Sequence, residues 1–239
     1  MKDGVAIAAL PHTQWNSGGL LDLARIGEAC RRQGAALVLD LTQSLGAYPF
    51  DVEKVQPDFA VAATYKWLLG PYSYGVMYVS PKRQQGQPLE ENWIQRDNAR
   101  DFSGLVRYTD GYEPGARRFD MGERSNFALL PAAIRAIEQL LTWGIKEISE
   151  TLGKLSRRLI ENTNNLGIVT PPERVRAPHY VCLRSMSAKP PAAALLENLA
   201  KERIYVSVRG TSIRVTPHVY NSEEDIDRLL DVLNRTLGR

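Results

Sequence analysis

The sequence predicts an α/β fold with a mostly parallel sheet, followed by a small α+β domain. Residues 5–10 and 35–40 are continuous apolar runs, the pattern typical of strands buried on both faces of a parallel sheet. Between them, apolar residues recur with a helical period from Leu20 to Arg32. This order forms a βαβ unit, whose crossover should be right-handed. After Pro171-Pro172 the pattern changes to short strands and helices, typical of a smaller α+β domain.

The remaining elements follow in chain order. We place the domain boundary at residue 144, so that residues 1–144 form the large domain and residues 145–239 the small one. In the large domain we predict strands over 58–63 and 74–79, an irregular excursion over 81–120 and a helix over 129–143. In the small domain we predict helices over 145–164, 192–202 and 223–237, strands over 179–183, 204–208 and 212–215, and a hairpin turn at Gly210-Thr211.

Composition excludes several classes of protein. Apolar residues make up 44% of the 239-residue chain and charged residues 24%, so we expect a packed core. A net charge of +3 gives no support for nucleic-acid binding, which needs clustered basic residues. The two cysteines lack metal-type spacing, which favours a reduced, cytoplasmic setting. We expect no membrane span and no signal peptide, because no stretch is apolar and long enough for either.

An acid and a lysine follow two predicted strands of the large domain. Asp40 ends the strand 35–40, and Lys66 lies between Tyr65 and Trp67 just after the strand 58–63. Open α/β sheets bind ligands at the carboxyl ends of their strands, so we expect both side chains to face one crevice. A lysine flanked by side chains that prefer burial is a candidate nucleophile, because desolvation lowers the pKa of its amine.

Each residue also has an ordinary structural interpretation. Asp40 could cap the turn after its strand, and Lys66 could be a surface lysine in a turn. Residue 42 is threonine rather than a second acid, which argues against a phosphatase-like nucleophile. The sequence also lacks the glycine-rich dinucleotide motif, the phosphate-binding loop, the nucleophile elbow and the zinc-protease motif.

Taken together, the two residues suggest pyridoxal phosphate as the cofactor. That cofactor needs a lysine for a Schiff base and an acid that keeps the pyridine nitrogen protonated. Gln43, three residues after Asp40, can donate a hydrogen bond to the phenolic oxygen of the ring. Thr64 and Tyr65 can donate hydrogen bonds to the phosphate.

Several segments carry a family resemblance. Residues 36–51, which contain Asp-Leu-Thr-Gln, and residues 58–71, which contain Thr-Tyr-Lys-Trp, resemble the class V aminotransferases among the fold-type I pyridoxal-phosphate enzymes. Residues 116–123 and 213–227 resemble two further signatures of that family. The family includes kynureninases, cysteine desulfurases and proteins similar to isopenicillin N epimerase. The resemblance extends over essentially the whole chain.

The resemblance implies a role for each matching residue. Lys66 would form the Schiff base, Asp40 would pair with the pyridinium, Gln43 would contact the phenolic oxygen, and Thr64 and Tyr65 would contact the phosphate. Arg214 occupies the position of an arginine that binds the substrate carboxylate, a task that suits the guanidinium fork. The resemblance also implies transamination of an amino acid or a related amine and assembly as a homodimer. No metal is implied.

Some positions depart from the family pattern. Trp15 stands where desulfurases have an asparagine that contacts the cofactor, Ala63 where they have serine, and Glu123 where the family usually has threonine. Cys182 lies within a predicted strand, where packing is its expected role, so cysteine desulfuration is disfavoured. Epimerase and lyase chemistry stay open, because substrate orientation selects the reaction on this scaffold.

The chain is also short for the family. The resemblance implies that roughly the first third of the family's chain, with a helix N-terminus that binds the phosphate, precedes the equivalent of Val5. The 239 residues would then be a fragment, a chain that has lost cofactor affinity, or one that uses another subunit's surface. The alternative function is a catalytically silent module for dimerisation or binding.

Overall fold

The computed structural model describes residues 4–163, 165–186 and 193–237. Within it the chain forms two compact units whose segments alternate along the sequence. Unit 1 comprises Met1–Pro11, Asp22–Thr42 and Asp51–Ile137, and unit 2 comprises His12–Leu21, Gln43–Phe50 and Glu138–Arg239. The α/β fold class is confirmed. The assignment of a cofactor domain to residues 1–144 and a small domain to 145–239 stays a prediction.

Unit 1 contains a four-stranded sheet with strand order β1-β2-β3-β4. Its strands are β1 (Ile7–Pro11), β2 (Ala36–Asp40), β3 (Phe59–Ala63) and β4 (Gly75–Val79). The first three strands are parallel, and β4 runs antiparallel to β3. The change of direction follows from the short connection over residues 64–74, since a parallel crossover needs a dozen or more residues. The sheet is therefore mostly parallel, as predicted.

One face of this sheet packs beneath the predicted helix. Leu37 and Leu39 of β2 are fully buried and alternate with less buried neighbours. One face of the strand therefore lies in the core. Helix α1 (Leu23–Arg32) begins at Asp22, whose side chain accepts a hydrogen bond from the Arg25 amide. A short helix that the sequence did not reveal, α2 (Val52–Val55), lies in the connector before β3. Arg31 of α1 donates a hydrogen bond to the Val55 carbonyl at 2.9 Å.

The irregular excursion after β4 is confirmed. It contains only short 3₁₀ turns, which span Pro81–Arg83, Trp93–Gln95, Phe102–Gly104 and Gly115–Phe119. Gln95 is buried within it and, with Asn92, forms a reciprocal capping box. Helix α3 (Leu130–Trp143) follows, and the division between the two units falls within it.

The buried side chain of Asp58, just before β3, bonds to β2 and to two basic residues that follow β4. Its carboxylate is buried and accepts hydrogen bonds from the Leu37 amide at 2.8 Å and from Arg83 at 2.7 Å. Lys82 lies 3.0 Å away. Burial alone would raise the pKa of Asp58, but the Leu37 amide, Arg83 and Lys82 hold the pKa below its usual value. The charged carboxylate therefore fixes β2 and β3 together at their amino ends.

Unit 2 contains a second four-stranded sheet, antiparallel throughout, with strand order β5-β6-β8-β7. Its strands are β5 (Ile168–Val169), β6 (Val181–Ser185), β7 (Ser207–Arg209) and β8 (Ser212–Val215), and its helices are α4 (Ile145–Glu161), α5 (Ala193–Lys201) and α6 (Glu223–Leu237). Apolar side chains from α4, α5, α6 and the strands form one core. No helix in the described ranges is long and apolar enough to cross a membrane.

Several boundaries in unit 2 differ from the sequence predictions, including the start of β6, which is Val181 rather than residue 179. Strand β7 begins at Ser207 rather than at Ile204, because Arg203 adopts a left-handed conformation and the Ile204 amide bonds back to the Leu199 carbonyl. Helix α4 ends at Glu161, and the predicted final residue, 164, lies outside the described residues. Residue 192, the predicted start of α5, also lies outside them. The two-residue strand β5 was not predicted, because a strand this short leaves no sequence period.

We predict that Asp58→Asn lowers the free energy of unfolding by about 1–3 kcal/mol, because an amide cannot satisfy the Leu37 amide and both cations at once. Urea unfolding measures the change. Glu28→Gln is the control, since its partner Arg32 is exposed and such pairs contribute about 0–1 kcal/mol. Equal effects of the two variants would contradict the role given to Asp58.

Candidate active site

Asp40 lies at the carboxyl end of the parallel strands of unit 1. Strand register aligns it with Pro11 of β1 on one side and with Val61 of β3 on the other. Its carboxylate is exposed, and Oδ1 accepts a hydrogen bond from the Thr42 amide at 2.9 Å. The Thr42 hydroxyl in turn accepts one from the Ala63 amide at 3.1 Å. The turn after β2 is therefore bonded to the end of β3, immediately before the lysine loop.

The loop that carries Lys66 is closed at its base by Thr64. The Thr64 hydroxyl lies 2.7 Å from the Pro71 carbonyl and 3.0 Å from the Tyr74 carbonyl. The Thr64 carbonyl accepts a hydrogen bond from the Gly70 amide at 2.8 Å. Gly70 approaches so closely that an added Cβ would meet the Thr64 side chain at 2.7 Å. The sequence Thr-Tyr-Lys-Trp-Leu-Leu-Gly-Pro thus forms a tight loop that needs glycine at its closing position.

Within the loop, buried and exposed side chains divide sharply. Trp67 and Leu68 are each 7% exposed and anchor the loop, whereas Tyr65 is 37% exposed. The Tyr65 ring stacks on Tyr72 with centroids 4.3 Å apart. The half-buried Lys66 amine lies 5.5 Å from the centroid of the Tyr65 ring. Lys66 is therefore presented on the Tyr65 side of the loop, beside an aromatic pair.

The predicted phosphate contact of Thr64 remains a prediction. Its side chain is buried, and its hydroxyl donates within the loop. Tyr65 has a partly exposed side chain and fits the role of a phosphate donor better. In unit 1 the structure thus brings Asp40 and the Lys66 loop to the same edge of one sheet, with Tyr65 next to Lys66.

Gln43 belongs to unit 2, where a histidine holds its backbone. The Nε2 atom of His179 lies 2.6 Å from the Gln43 carbonyl oxygen. Since a carbonyl can only accept, Nε2 carries the proton. His179 is fully buried, and its ring lies 6.4 Å from that of Tyr48, which follows Gln43 in the same segment.

Arg214 also belongs to unit 2 and lies on the inner strand β8. It is in register with Cys182 of β6 and with Ser207 of β7. Its guanidinium carbon lies 5.0 Å from the centroid of the Tyr180 ring. The Nε atom of Arg214 is buried, and no residue that the structure describes accepts a hydrogen bond from it. A buried donor of this kind needs an acceptor that the described residues do not supply.

All three histidines of the chain lie in unit 2, and each is buried. Burial lowers the pKa of both His12 and His179 to about 4. Burial also lowers the pKa of His218. His12 packs edge-on against Tyr48, with ring centroids 5.4 Å apart. These histidines are therefore neutral at physiological pH and act through hydrogen bonding and packing.

Cys182 has the packing role that its strand position predicted. It is 2% exposed on β6, and burial raises the pKa of its thiol to about 11. A thiol with such a pKa stays protonated and is a poor nucleophile. Both cysteines are free and buried.

Comparison with known proteins decides the family. The family model for class-V aminotransferases matches residues 1–229. The chain belongs to the class-V aminotransferase family. The resemblance seen in the motifs around Asp40 and Lys66 is thereby confirmed.

Relatives within the class-V family have diverse names. An uncharacterised aminotransferase of Bacillus subtilis is 26% identical over 97% of this chain, and isopenicillin N epimerase of Streptomyces clavuligerus is 27% identical over 95%. A kynureninase of Shouchella clausii is 27% identical over 98%. The chain spans 60%, 59% and 55% of these three relatives' own lengths.

Solved structures confirm the fold. A cysteine desulfurase from Thermococcus onnurineus superimposes with a TM-score of 0.79 at 21% identity, covering 99% of this chain and 61% of that one. A mutant of C-DES, solved with glycine covalently linked to its pyridoxal-phosphate cofactor, gives a TM-score of 0.81 at 24% identity, covering 98% of this chain and 61% of that one. At this level of identity the likeness concerns the fold alone.

Two residues of unit 2 were missed as functional candidates. His179 and Tyr180 were interpreted only as the start of a strand, yet both bond to backbone carbonyls of segments that lie far away in sequence. The one available signal was two polar aromatic side chains side by side before the apolar run of β6. Neither position is among those at which the sequence departs from the family pattern.

We predict that the histidine ring protons of His12 and His179 titrate with midpoints near pH 4 in NMR spectra of the folded chain. In denaturant the midpoints should rise to about 6.5. Since the unfolded state then binds more protons below pH 6.5, the free energy of unfolding should fall as pH drops from about 6.5 towards 4, by about 1–3 kcal/mol per histidine. Folded-state midpoints near 6.5 would contradict this burial.

Proposed function

We propose that this class-V chain belongs to a pyridoxal-phosphate enzyme that transaminates an amino acid or a related amine. The observation that carries the proposal is the parallel register of β2 and β3. It brings Asp40 and the Lys66 loop to one sheet edge, where open α/β sheets bind ligands. When bound, the cofactor supplies an electron sink that stabilises charge on the substrate α-carbon.

Asp40 and Lys66 fit the two demands that this cofactor makes on a protein. The exposed Asp40 carboxylate already accepts one amide hydrogen bond and is accessible to a protonated ring nitrogen. Lys66 provides the amine for the Schiff base and can afterwards carry a proton to or from the substrate. Tyr65 is placed next to that amine and would donate to the phosphate, together with Thr64 if the loop rearranges.

Gln43 and Arg214 have the supporting roles that the family resemblance implies. Gln43 would donate a side-chain hydrogen bond to the phenolic oxygen, and its backbone is held by His179. Arg214 would bind the substrate carboxylate. Its buried Nε donor has no acceptor among the described residues, and a guanidinium can donate two parallel hydrogen bonds to a carboxylate.

Lyase and epimerase reactions use the same acid and lysine. Relatives with such names, including isopenicillin N epimerase and kynureninase, match at nearly the same identity as the aminotransferase. Cysteine desulfuration is disfavoured, because the buried Cys182 thiol is protonated.

We further propose a homodimer in a cytoplasmic setting. A silent binding module is the alternative if the cofactor does not bind.

We predict that borohydride reduction of the chain with pyridoxal phosphate labels Lys66 and no other lysine in high yield. The loop closed by Thr64 and Gly70 presents this amine beside the Asp40 edge of the sheet, whereas surface lysines have no such partner for the cofactor. Peptide mapping by mass spectrometry measures the labelled fraction at each lysine.

Two variants serve as controls for this labelling. Lys66→Ala should abolish the label, and Lys146→Ala, which removes an exposed lysine 3.8 Å from Glu150, should leave it unchanged. Labels spread over surface lysines at similar yields would overturn the proposal and favour the silent module. If labelling succeeds, product analysis with amino-acid substrates distinguishes amino transfer from cleavage or racemisation.

A further inference from the structure

Tyr180 joins two parts of unit 2 that the chain separates widely. Its side chain is fully buried. Its hydroxyl donates a hydrogen bond to the Trp15 carbonyl at 2.6 Å, and the guanidinium of Arg214 lies over its ring. One side chain thus contacts both the loop after β1 and the arginine on β8.

The Trp15 loop is attached to the segment around Tyr180 at several points. The Leu20 amide donates to the Val175 carbonyl at 2.8 Å, and the Ala177 amide donates to the Gly18 carbonyl at 2.9 Å. Gly18 has a φ of +72°, and an added Cβ would collide with the Tyr180 carbonyl. The loop therefore cannot shift without disturbing Tyr180.

Chemistry sets the direction of the Tyr180 hydrogen bond. A carbonyl oxygen only accepts, so the phenol must be protonated. Burial raises the pKa of Tyr180 to about 12, which keeps the hydroxyl a donor over the physiological range. The hydrogen bond fixes the rotation of the side chain, and the ring then offers its negative face to the guanidinium.

The orientation of the Arg214 guanidinium depends on few described contacts. Its buried Nε lacks an acceptor in the described part of the chain, so nothing described on the Nε side fixes the plane of the guanidinium. The ring of Tyr180, 5.0 Å from the guanidinium carbon, is a described contact that can orient it. A guanidinium held flat against a ring keeps its edge available for a carboxylate.

We propose that Tyr180 is a positioning residue that orients Arg214 for carboxylate binding and couples that orientation to the Trp15 loop. The inference rests on the proposed function of Arg214 as the carboxylate-binding residue. It predicts that the tyrosine hydroxyl, which contacts no substrate in this account, controls affinity for the carboxylate through the ring.

The test observes Arg214 directly by NMR of arginine side-chain Nε–H groups. The Arg214 signal is assigned as the one lost in Arg214→Lys. In the wild type the signal should be shifted upfield by the Tyr180 ring. Tyr180→Phe retains the ring but loses its anchor, so the upfield shift should shrink and exchange with water should accelerate. Tyr180→Leu should abolish the shift. Tyr205→Phe, which removes an exposed phenol, is the matched control.

A titration with pyruvate, used as a simple carboxylate probe, gives the functional readout. Binding should move the Arg214 signal of the wild type, and Tyr180→Phe should weaken binding about fivefold, as expected for one lost hydrogen bond. A variant that is less stable but still folded would keep the Arg214 signal of the wild type unless Tyr180 positions the arginine. Tyr180→Phe still tests the inference if Tyr180→Leu fails to fold.

Two outcomes would overturn the inference. An Arg214 signal that is identical in Tyr180→Phe and in the wild type would show that the hydroxyl does not position the arginine. A signal that pyruvate moves in neither protein would show that Arg214 does not bind carboxylates. Both are distinct from failure of the proposed cofactor chemistry, which the labelling of Lys66 reports on separately.

Discussion

The pairing of β2 with β3 is the constraint on which the candidate site depends. Parallel strands end at the same edge of a sheet, and the register places Asp40 beside Val61. The chain then needs only a short, rigid turn to place an amine at that edge. Thr64 and Gly70 provide it by closing the lysine loop on itself. At the other end of these strands, the buried carboxylate of Asp58 bonds to the Leu37 amide and keeps the register from slipping.

Buried polar side chains have a comparable role in unit 2. His179 and Tyr180 are consecutive, and each holds a backbone carbonyl in a different loop, one at Gln43 and the other at Trp15. Apolar residues at these positions would leave both carbonyls without these partners. The dipeptide therefore helps to determine where two loops lie.

Local patterns were enough to predict much of this molecule. Apolar runs located β1, β2 and β3, and helical periodicity located α1, α3 and α6. Burial accounts for the pattern in β2 and α6, whereas no residue of β1 is buried, so the expected burial of that strand on both faces is wrong for the described chain. The antiparallel direction of β4 was not predicted from its apolar run, which is the same in either direction; the short loop before it decides the matter. The start of β7 was missed because the chain turns at the left-handed Arg203 and the Ile204 amide bonds back to the Leu199 carbonyl, in a segment whose apolar residues also suit a strand.

Sequence patterns likewise indicated some residues of the candidate site and missed others. Asp40 and Lys66 could be proposed from the sequence because their residue types and separation suit the chemistry of the suggested cofactor, and their roles stay predictions. The anchors could not be found, because their partners are backbone atoms 136 and 165 residues away in the sequence, and a backbone carbonyl has no sequence signature.

The central claim is that Asp40 and Lys66 act on one cofactor molecule, and a visible-absorbance titration tests it most directly. Pyridoxal phosphate is added to the wild type and to Asp40→Asn, and the imine band is followed as a function of pH. We predict that the wild-type band forms at lower cofactor concentration than that of Asp40→Asn and differs from it in pH dependence, because the carboxylate stabilises the protonated ring nitrogen. Bands with identical affinity and identical pH dependence in the two proteins would contradict the account.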